Sequence, residues 1–370
     1  MLHMNRYLIY LSISLLSFYI QAQPKDTLDM MIGQMIMIGI GDFDILDKSA
    51  AIFQSLEEGR IGGIILFEKN ISIKDPKINL KAIIECAQKK SPVPLLVSID
   101  QEGGKVNRLK TKYGFPKTVT AQYLGSLDML DSTRFYAYQT ALTLSGLGFN
   151  LNYAPILDVN VNPTNPVIGK IERSYSADYL KVVSHASEVV KMHDSLNIAT
   201  ALKHFPGHGS SRKDTHLGIA DVSQTWQMEE VYPYKAMLDS GLVRMIMTAH
   251  IVNHVLDSAL LPATLSKKIV TDFLRGFLNY DGVVISDDMQ MGAISKEYGL
   301  EEAIKLSINA GVDMIMFANN VPDSDLVTAD IVHQIIRSKV ENNEIPIRRI
   351  EESYKRISKL KYEMGLKDHL

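Results

Sequence analysis

One pattern recurs along this chain and leaves few folds open to it. A short apolar run of strand length is followed by a polar loop and then by a helix-length amphipathic stretch. The apolar runs fall at 34–40, 63–67, 94–99, 150–156, 199–202, 244–248, 282–286 and 314–317, eight in all. They are nearly continuous rather than alternating, the pattern of parallel strands buried on both faces. Helix-like stretches lie at 78–88, 132–147, 178–194, 226–240, 266–278, 301–310 and 326–340. Gly59, Gly146, Gly241 and Gly311 stand where such stretches end, as helix C-caps would. A last stretch at 346–362 predicts a helix closing the bottom or flank. Eight strand–helix units specify an α/β fold, a (β/α)8 TIM-type barrel. The rival, an open doubly wound sheet, lacks its Gly-x-Gly-x-x-Gly phosphate turn; Gly39-Ile40-Gly41 is a fragment of one.

Composition narrows the function. Of 370 residues, 46% are hydrophobic and 22% charged, which excludes wholesale disorder and a multi-span membrane protein. With 39 Lys+Arg against 42 Asp+Glu, no basic excess points to a nucleic-acid partner. A single cysteine, Cys86, excludes an intrachain disulfide and any multi-cysteine metal centre. It reads as a small packed hydrophobe.

The first residues read as a secretory signal peptide over 1–22. Arg6 precedes an apolar run from Tyr7 to Ile20, too short for a comfortable membrane span, and Ala22 precedes a polar stretch. The expectation is export to the periplasm or beyond, with no stable membrane insertion after cleavage, and a barrel over 23–370. The rival is an uncleaved anchor. No cysteine follows the run to carry a lipoprotein anchor.

In a barrel, chemistry collects at the C-terminal ends of the strands. The third run ends in Asp100-Gln101-Glu102-Gly103-Gly104, the fourth near Asp158, and the fifth in Lys203-His204. The sixth ends in His250, the seventh in Asp287-Asp288 and the eighth in Asn319-Asn320. Loops are polar anyway, so one such ending means little. The same placement after six strands predicts a functional cluster.

The stretch from Lys203 to His216 carries three histidines after Lys203: His204, His208 and His216. His204 and His208 have the four-residue spacing of paired metal ligands, but only on a helix. Pro206, Gly207 and Gly209 argue against a helix, so no metal and no cofactor are expected. The alternative is a glycine-hinged loop carrying a working histidine. Asp214 and His216 form a pair in which the carboxylate fixes the imidazole tautomer and raises its basicity.

At these residues the chain resembles a known family. Lys203-His204-Phe205-Pro206-Gly207-His208-Gly209 with Asp214-Thr215-His216 resembles the signature of family 3 glycoside hydrolases, and more narrowly that of the bacterial NagZ-type β-N-acetylhexosaminidases. Further matches follow in order: Asp100-Gln101-Glu102-Gly103-Gly104 with Arg108, Ala154-Pro155-Ile156-Leu157-Asp158-Val159, Arg173-Ser174-Tyr175 and Ser286-Asp287-Asp288-Met289. The departures are Ser210-Ser211 where the family usually has Asp-Thr, Thr215 for Ser, Lys105 for Arg and Ile219-Ala220 for Leu-Pro. None removes a catalytic group, though they bear on specificity and on the loop.

The resemblance implies a retaining mechanism through an oxocarbenium-like transition state. Asp287 would attack the anomeric carbon, and His216, polarised by Asp214, would protonate the leaving oxygen and then activate water. Asp100, Arg108, Arg173, Lys203 and His204 would bind the sugar. Asp158 would touch sugar or brace the pocket floor, and His250 would be a pocket or a core histidine. Asp288 reads as a structural acid, His254 as a surface histidine, and Trp226 as the start of a helix rather than a sugar platform. The implied activity is exo-β-N-acetylglucosaminidase action on peptidoglycan- or chitin-type fragments. The alternatives are a family 3 β-glucosidase, a GlcNAc phosphorylase, or a non-catalytic saccharide-binding protein. β-Glucosidase relatives commonly take an acid from a second domain, which the Asp214–His216 pair makes unnecessary.

Overall fold

The structure is a computed structural model that describes residues 27–41, 51–321 and 325–366. The signal peptide expected over residues 1–22 lies outside the described residues. Eight parallel strands close a barrel in sequence order. They are β1 (Ile36–Gly39), β2 (Gly63–Leu66), β3 (Leu96–Ile99), β4 (Leu151–Asn152), β5 (Ala199–Phe205), β6 (Met245–Thr248), β7 (Val283–Asp288) and β8 (Met314–Phe317). β1 pairs with β8 through Ile36–Ile315 and with β2 through Met37–Gly63, which completes the ring.

The helices are α1 (Thr27–Gln34), α2 (Ala51–Glu57), α3 (Pro76–Lys90), α4 (Ala121–Leu127), α5 (Leu130–Leu147), α6 (Tyr179–Asp194), α7 (Tyr232–Asp239), α8 (Gly292–Ser295), α9 (Leu300–Ala310), α10 (Ala329–Glu341) and α11 (Ile347–Glu363). α5 shows why such stretches pack as helices. Thr133, Ala137, Ala141, Leu144 and Leu147 recur every three or four residues and are buried, so one stripe faces the barrel.

The chain departs from the expected boundaries in four places. Gly146 lies inside α5, and Gly148, at φ 95°, ends the helix, because only the latter occupies the left-handed turn beyond the last carbonyls. The stretch 226–240 does not begin as a helix at Trp226. A 3-10 turn at Met228–Glu230 precedes α7, whose first turn holds Pro233, where the missing N–H costs nothing. The stretch 266–278 is a π-helix over Lys268–Phe277. β4 keeps only two ladder residues of the expected 150–156, because Pro155 cannot donate to a neighbour; an isolated bridge from Ile156 to Lys203 resumes the pairing beyond it.

The closing helix α11 buries Ile350, Ser353, Ile357 and Leu360. Its Lys361 is buried and donates to Gln34 Oε1 at 2.6 Å, Gly62 O at 3.0 Å and Pro94 O at 2.6 Å, all at the upstream ends of β1–β3. α11 thus plugs the floor, leaving the other mouth for chemistry.

Two ladder irregularities sit at that mouth. The β5–β6 register shifts between Leu202 and Phe205, and the β7–β8 register between Ile285 and Asp288. Such shifts re-aim side chains. Here they fall on Lys203-His204 and on Asp287.

Candidate active site

Asp100, Arg108, His216, Asp287 and Asp288 line one cavity of about 820 Å³. They arrive from β3, from the loop after β5 and from the end of β7, so distant segments meet because the barrel aligns their downstream ends.

One wall is an ion-pair network. Lys203 Nζ lies 2.8 Å from Asp100 Oδ1 and 2.7 Å from Glu102 Oε1. Arg108 Nη2 lies 3.3 Å from Asp100 Oδ2. Arg173 makes a two-pronged pair with Glu102, at 2.9 Å and 2.7 Å, and donates to Val167 O. Burial alone would push Asp100 and Glu102 up. The charges of Lys203 and Arg108 on Asp100, and of Arg173 and Lys203 on Glu102, outweigh it and hold both below their ordinary values, Glu102 at about 2. Burial likewise works against the Lys203 ammonium, and Asp100 and Glu102 reverse it.

Asp158 organises the second wall. It is fully buried and accepts from His204 N at 3.2 Å and His208 N at 2.7 Å, and its Oδ2 lies 2.7 Å from His204 Nδ1. Burial is outweighed by His204 and the His208 amide, so Asp158 sits below its ordinary value and is ionised. An ionised carboxylate only accepts, so His204 carries its proton on Nδ1 and turns Nε2 toward Arg173 Nη2, 3.4 Å away. Asp158 therefore braces the pocket floor; its oxygens are taken by the chain itself.

His208 is buried, and burial pushes it down to about 4. Its ring meets that of His204 edge to face, with centroids 5.9 Å apart. Among the described residues no group of three His, Cys, Asp or Glu side chains is placed to hold a metal.

Asp214 and His216 form the expected pair, with His216 Nδ1 2.7 Å from Asp214 Oδ1, which also accepts from the His216 amide at 2.8 Å. The carboxylate holds Nδ1–H and leaves Nε2 to exchange protons. The His216 side chain is 60% exposed.

Asp287 ends β7. Burial would raise it, but His204, His250 and the Asp288 amide, 2.8 Å from Oδ1, keep it below its ordinary value and ionised. Asp288 behaves differently. Burial, aided by Asp287, pushes it up to about 6 against two amides, Ala318 N at 3.0 Å and Gln290 N at 3.1 Å. The Ala318 bond ties the end of β7 to the end of β8 and the Gln290 bond closes a local turn, so Asp288 is a structural acid at the rim.

Other candidates fall outside the reacting set. His250 Nε2 donates to the Asp288 carbonyl at 2.9 Å, and Nδ1 lies 2.9 Å from Thr264 Oγ1, so both nitrogens are occupied in the core. His254 is exposed. Trp226 is buried and donates to Pro206 O at 3.0 Å, which anchors the histidine loop instead of offering a ring to sugar.

The chain matches the model described as glycosyl hydrolase family 3 N terminal domain over residues 27–360. It belongs to that family. Over 325 residues it is 33% identical to beta-hexosaminidase A of Pseudoalteromonas piscicida, covering 81% of this chain and 53% of that protein. Over 269 residues it is 30% identical to a beta-hexosaminidase of Tolumonas auensis, covering 72% of this chain and 78% of the relative. It superimposes with a TM-score of 0.83 and 32% identity on a glycoside hydrolase family 3 beta-N-acetylglucosaminidase from a Paenibacillus species, covering 92% of this chain and 63% of that one. The chain thus spans about half the length of the Pseudoalteromonas protein.

Within this family 3 barrel, two groups escaped the sequence reading. Glu102 was visible only as part of a motif, yet it touches both Arg173 and Lys203. Glu230 is fully buried beneath the histidine loop, where Oε2 accepts from the Ser210 amide at 3.1 Å and Oε1 has no partner. Burial pushes it up to about 7. A Cβ at Gly207 would stand 2.5 Å from Glu230 Cβ, which explains a glycine there.

Proposed function

We propose that this chain is a retaining exo-β-N-acetylglucosaminidase. Asp287 is the nucleophile and forms a covalent glycosyl-enzyme; His216, held by Asp214, is the acid and then the base. Asp100, Arg108 and Lys203, with Arg173 and His204 behind them, hold the sugar hydroxyls and set the anomeric carbon over Asp287. The observation that carries the reading is that an ionised Asp287 and a carboxylate-held His216 face the same cavity. A neutral imidazole beside a newly formed ester also avoids repulsion between two carboxylates.

Relatives named beta-hexosaminidase and beta-N-acetylglucosaminidase support the sugar assignment. The proposed substrates are GlcNAc-terminated fragments of peptidoglycan or chitin type. Export is proposed with it, on the strength of Arg6 and the apolar run after it. The test is a panel of aryl β-glycosides with and without the 2-acetamido group, with inorganic phosphate varied. The reading expects GlcNAc glycosides to be cleaved and phosphate to leave the rate unchanged. Preference for glucosides, or dependence on phosphate, would overturn it.

A further inference from the structure

The loop that carries Asp214 and His216 has a firm base and a lightly held tip. At the base, Asp158, Glu230, Trp226 and Asn165 all bond to its backbone between Pro206 and Ser210. At the tip, His216 and Leu217 are exposed, and Leu217 is 73% so.

The tip rests on α8, a few residues beyond Asp287. Gly292 N donates to His216 O at 3.2 Å, Ala293 N to Thr215 O at 3.1 Å and Lys296 Nζ to Leu217 O at 3.1 Å. Gly292 does not have a positive φ, so its backbone does not call for glycine. What calls for it is space: a Cβ there would stand 2.6 Å from His216 O and 3.1 Å from Leu217 C. Both are backbone atoms of the loop. Either α8 or the loop must give way. Gly292, Ala293 and Ile294 are buried, whereas His216 and Leu217 at the loop tip are exposed. The loop is the part that yields.

We infer that Gly292 and Lys296 are positioning residues: they form the seat on which the loop tip docks, and the absent side chain at residue 292 fixes how close His216 comes to the cavity that Asp287 lines. This rests on the acid/base reading of His216. The seat couples the acid to the nucleophile mechanically, since α8 follows β7 directly. A larger residue at 292 lifts the acid and leaves the nucleophile in place. Gly292 is the first residue of α8 and does not have a positive φ, so alanine fits the helix backbone.

The test uses Gly292→Ala and Lys296→Met in the full chain, with two readouts. The first is limited trypsin cleavage after Arg212 and Lys213, both exposed on the loop. The inference expects cleavage there to quicken in both variants while the thermal midpoint does not fall. The second is turnover. Gly292→Ala is expected to lose about tenfold or more on a GlcNAc disaccharide, within the range of general acid–base catalysis. The glycosylation burst with a nitrophenyl glycoside should change by less than about threefold, because that leaving group needs little proton. Unchanged cleavage in Gly292→Ala would overturn the inference, as would equal losses on both substrates with a lowered midpoint. His216→Ala is run alongside. If it shows no leaving-group dependence, the acid/base reading fails, while the cleavage rates still decide whether the seat exists.

Discussion

Glu102 grips Arg173 with both carboxylate oxygens, 2.7 Å from Nη2 and 2.9 Å from Nε. The same Oε1 holds Lys203 Nζ at 2.7 Å, so one carboxylate, its side chain only 7% exposed, orients two cations at the proposed sugar wall. Lys203 is shared with Asp100, whose Oδ1 lies 2.8 Å away and whose other oxygen faces Arg108.

Removing that carboxylate should therefore cost more than one hydrogen bond. Glu102→Ala leaves buried Lys203 and largely enclosed Arg173 with less counter-charge, and such breaks cost about 3–5 kcal/mol. Urea unfolding should show a loss of that size, and KM for GlcNAc glycosides should rise. A variant as stable as the parent would mean the network is not held through Glu102.

Glu230 predicts a dependence on pH. Its carboxyl titrates at about 7 in the fold against 4.5 ordinarily, so across that window the folded chain holds a proton that the unfolded chain has lost. Stability from this group therefore falls as pH rises between those values. Glu230→Gln carries no such proton. Its thermal midpoint relative to the parent should rise between pH 5 and pH 8, and a constant difference would contradict the assignment.

Much of this architecture was legible because buried parallel strands write themselves as continuous apolar runs. The seven runs that formed strands of four or more residues lacked an internal proline; Pro155 shortened β4. Gly146 misled because Gly148, two residues on, competes for the same cap, and only the turn geometry separates them. The groups that meet at the cavity were visible in the sequence through motif, and Asp100 and Asp287 also through their position at strand ends. Glu230 was not, since Glu229 beside it looks the same in sequence and only the fold buries one of them. The seat at Gly292 was equally hidden, because its contact with His216 joins loops after different strands.

Chelation should not touch turnover. His204 Nδ1 is committed to Asp158 and His216 Nδ1 to Asp214. Activity of the purified chain should be the same before and after EDTA. A loss restored by zinc would contradict this.

Export makes a simple prediction. The apolar run after Arg6 ends before Ala22-Gln23. Edman sequencing of the native protein should begin near Gln23, outside the cytoplasm. A soluble cytoplasmic chain that retains Met1 would contradict it.

The central claim is that Asp287 forms the covalent intermediate and His216 releases it. The most direct measurement is intact-mass analysis of His216→Ala after mixing with a nitrophenyl GlcNAc glycoside, with peptide mapping of the adduct. The activated leaving group departs without an acid, but water then lacks its base, so a burst should be followed by slow release. The account predicts one GlcNAc per chain, mapped to Asp287, and partial rescue of release by azide. An adduct elsewhere, or His216→Ala turning over a GlcNAc disaccharide at the parent rate, would contradict it.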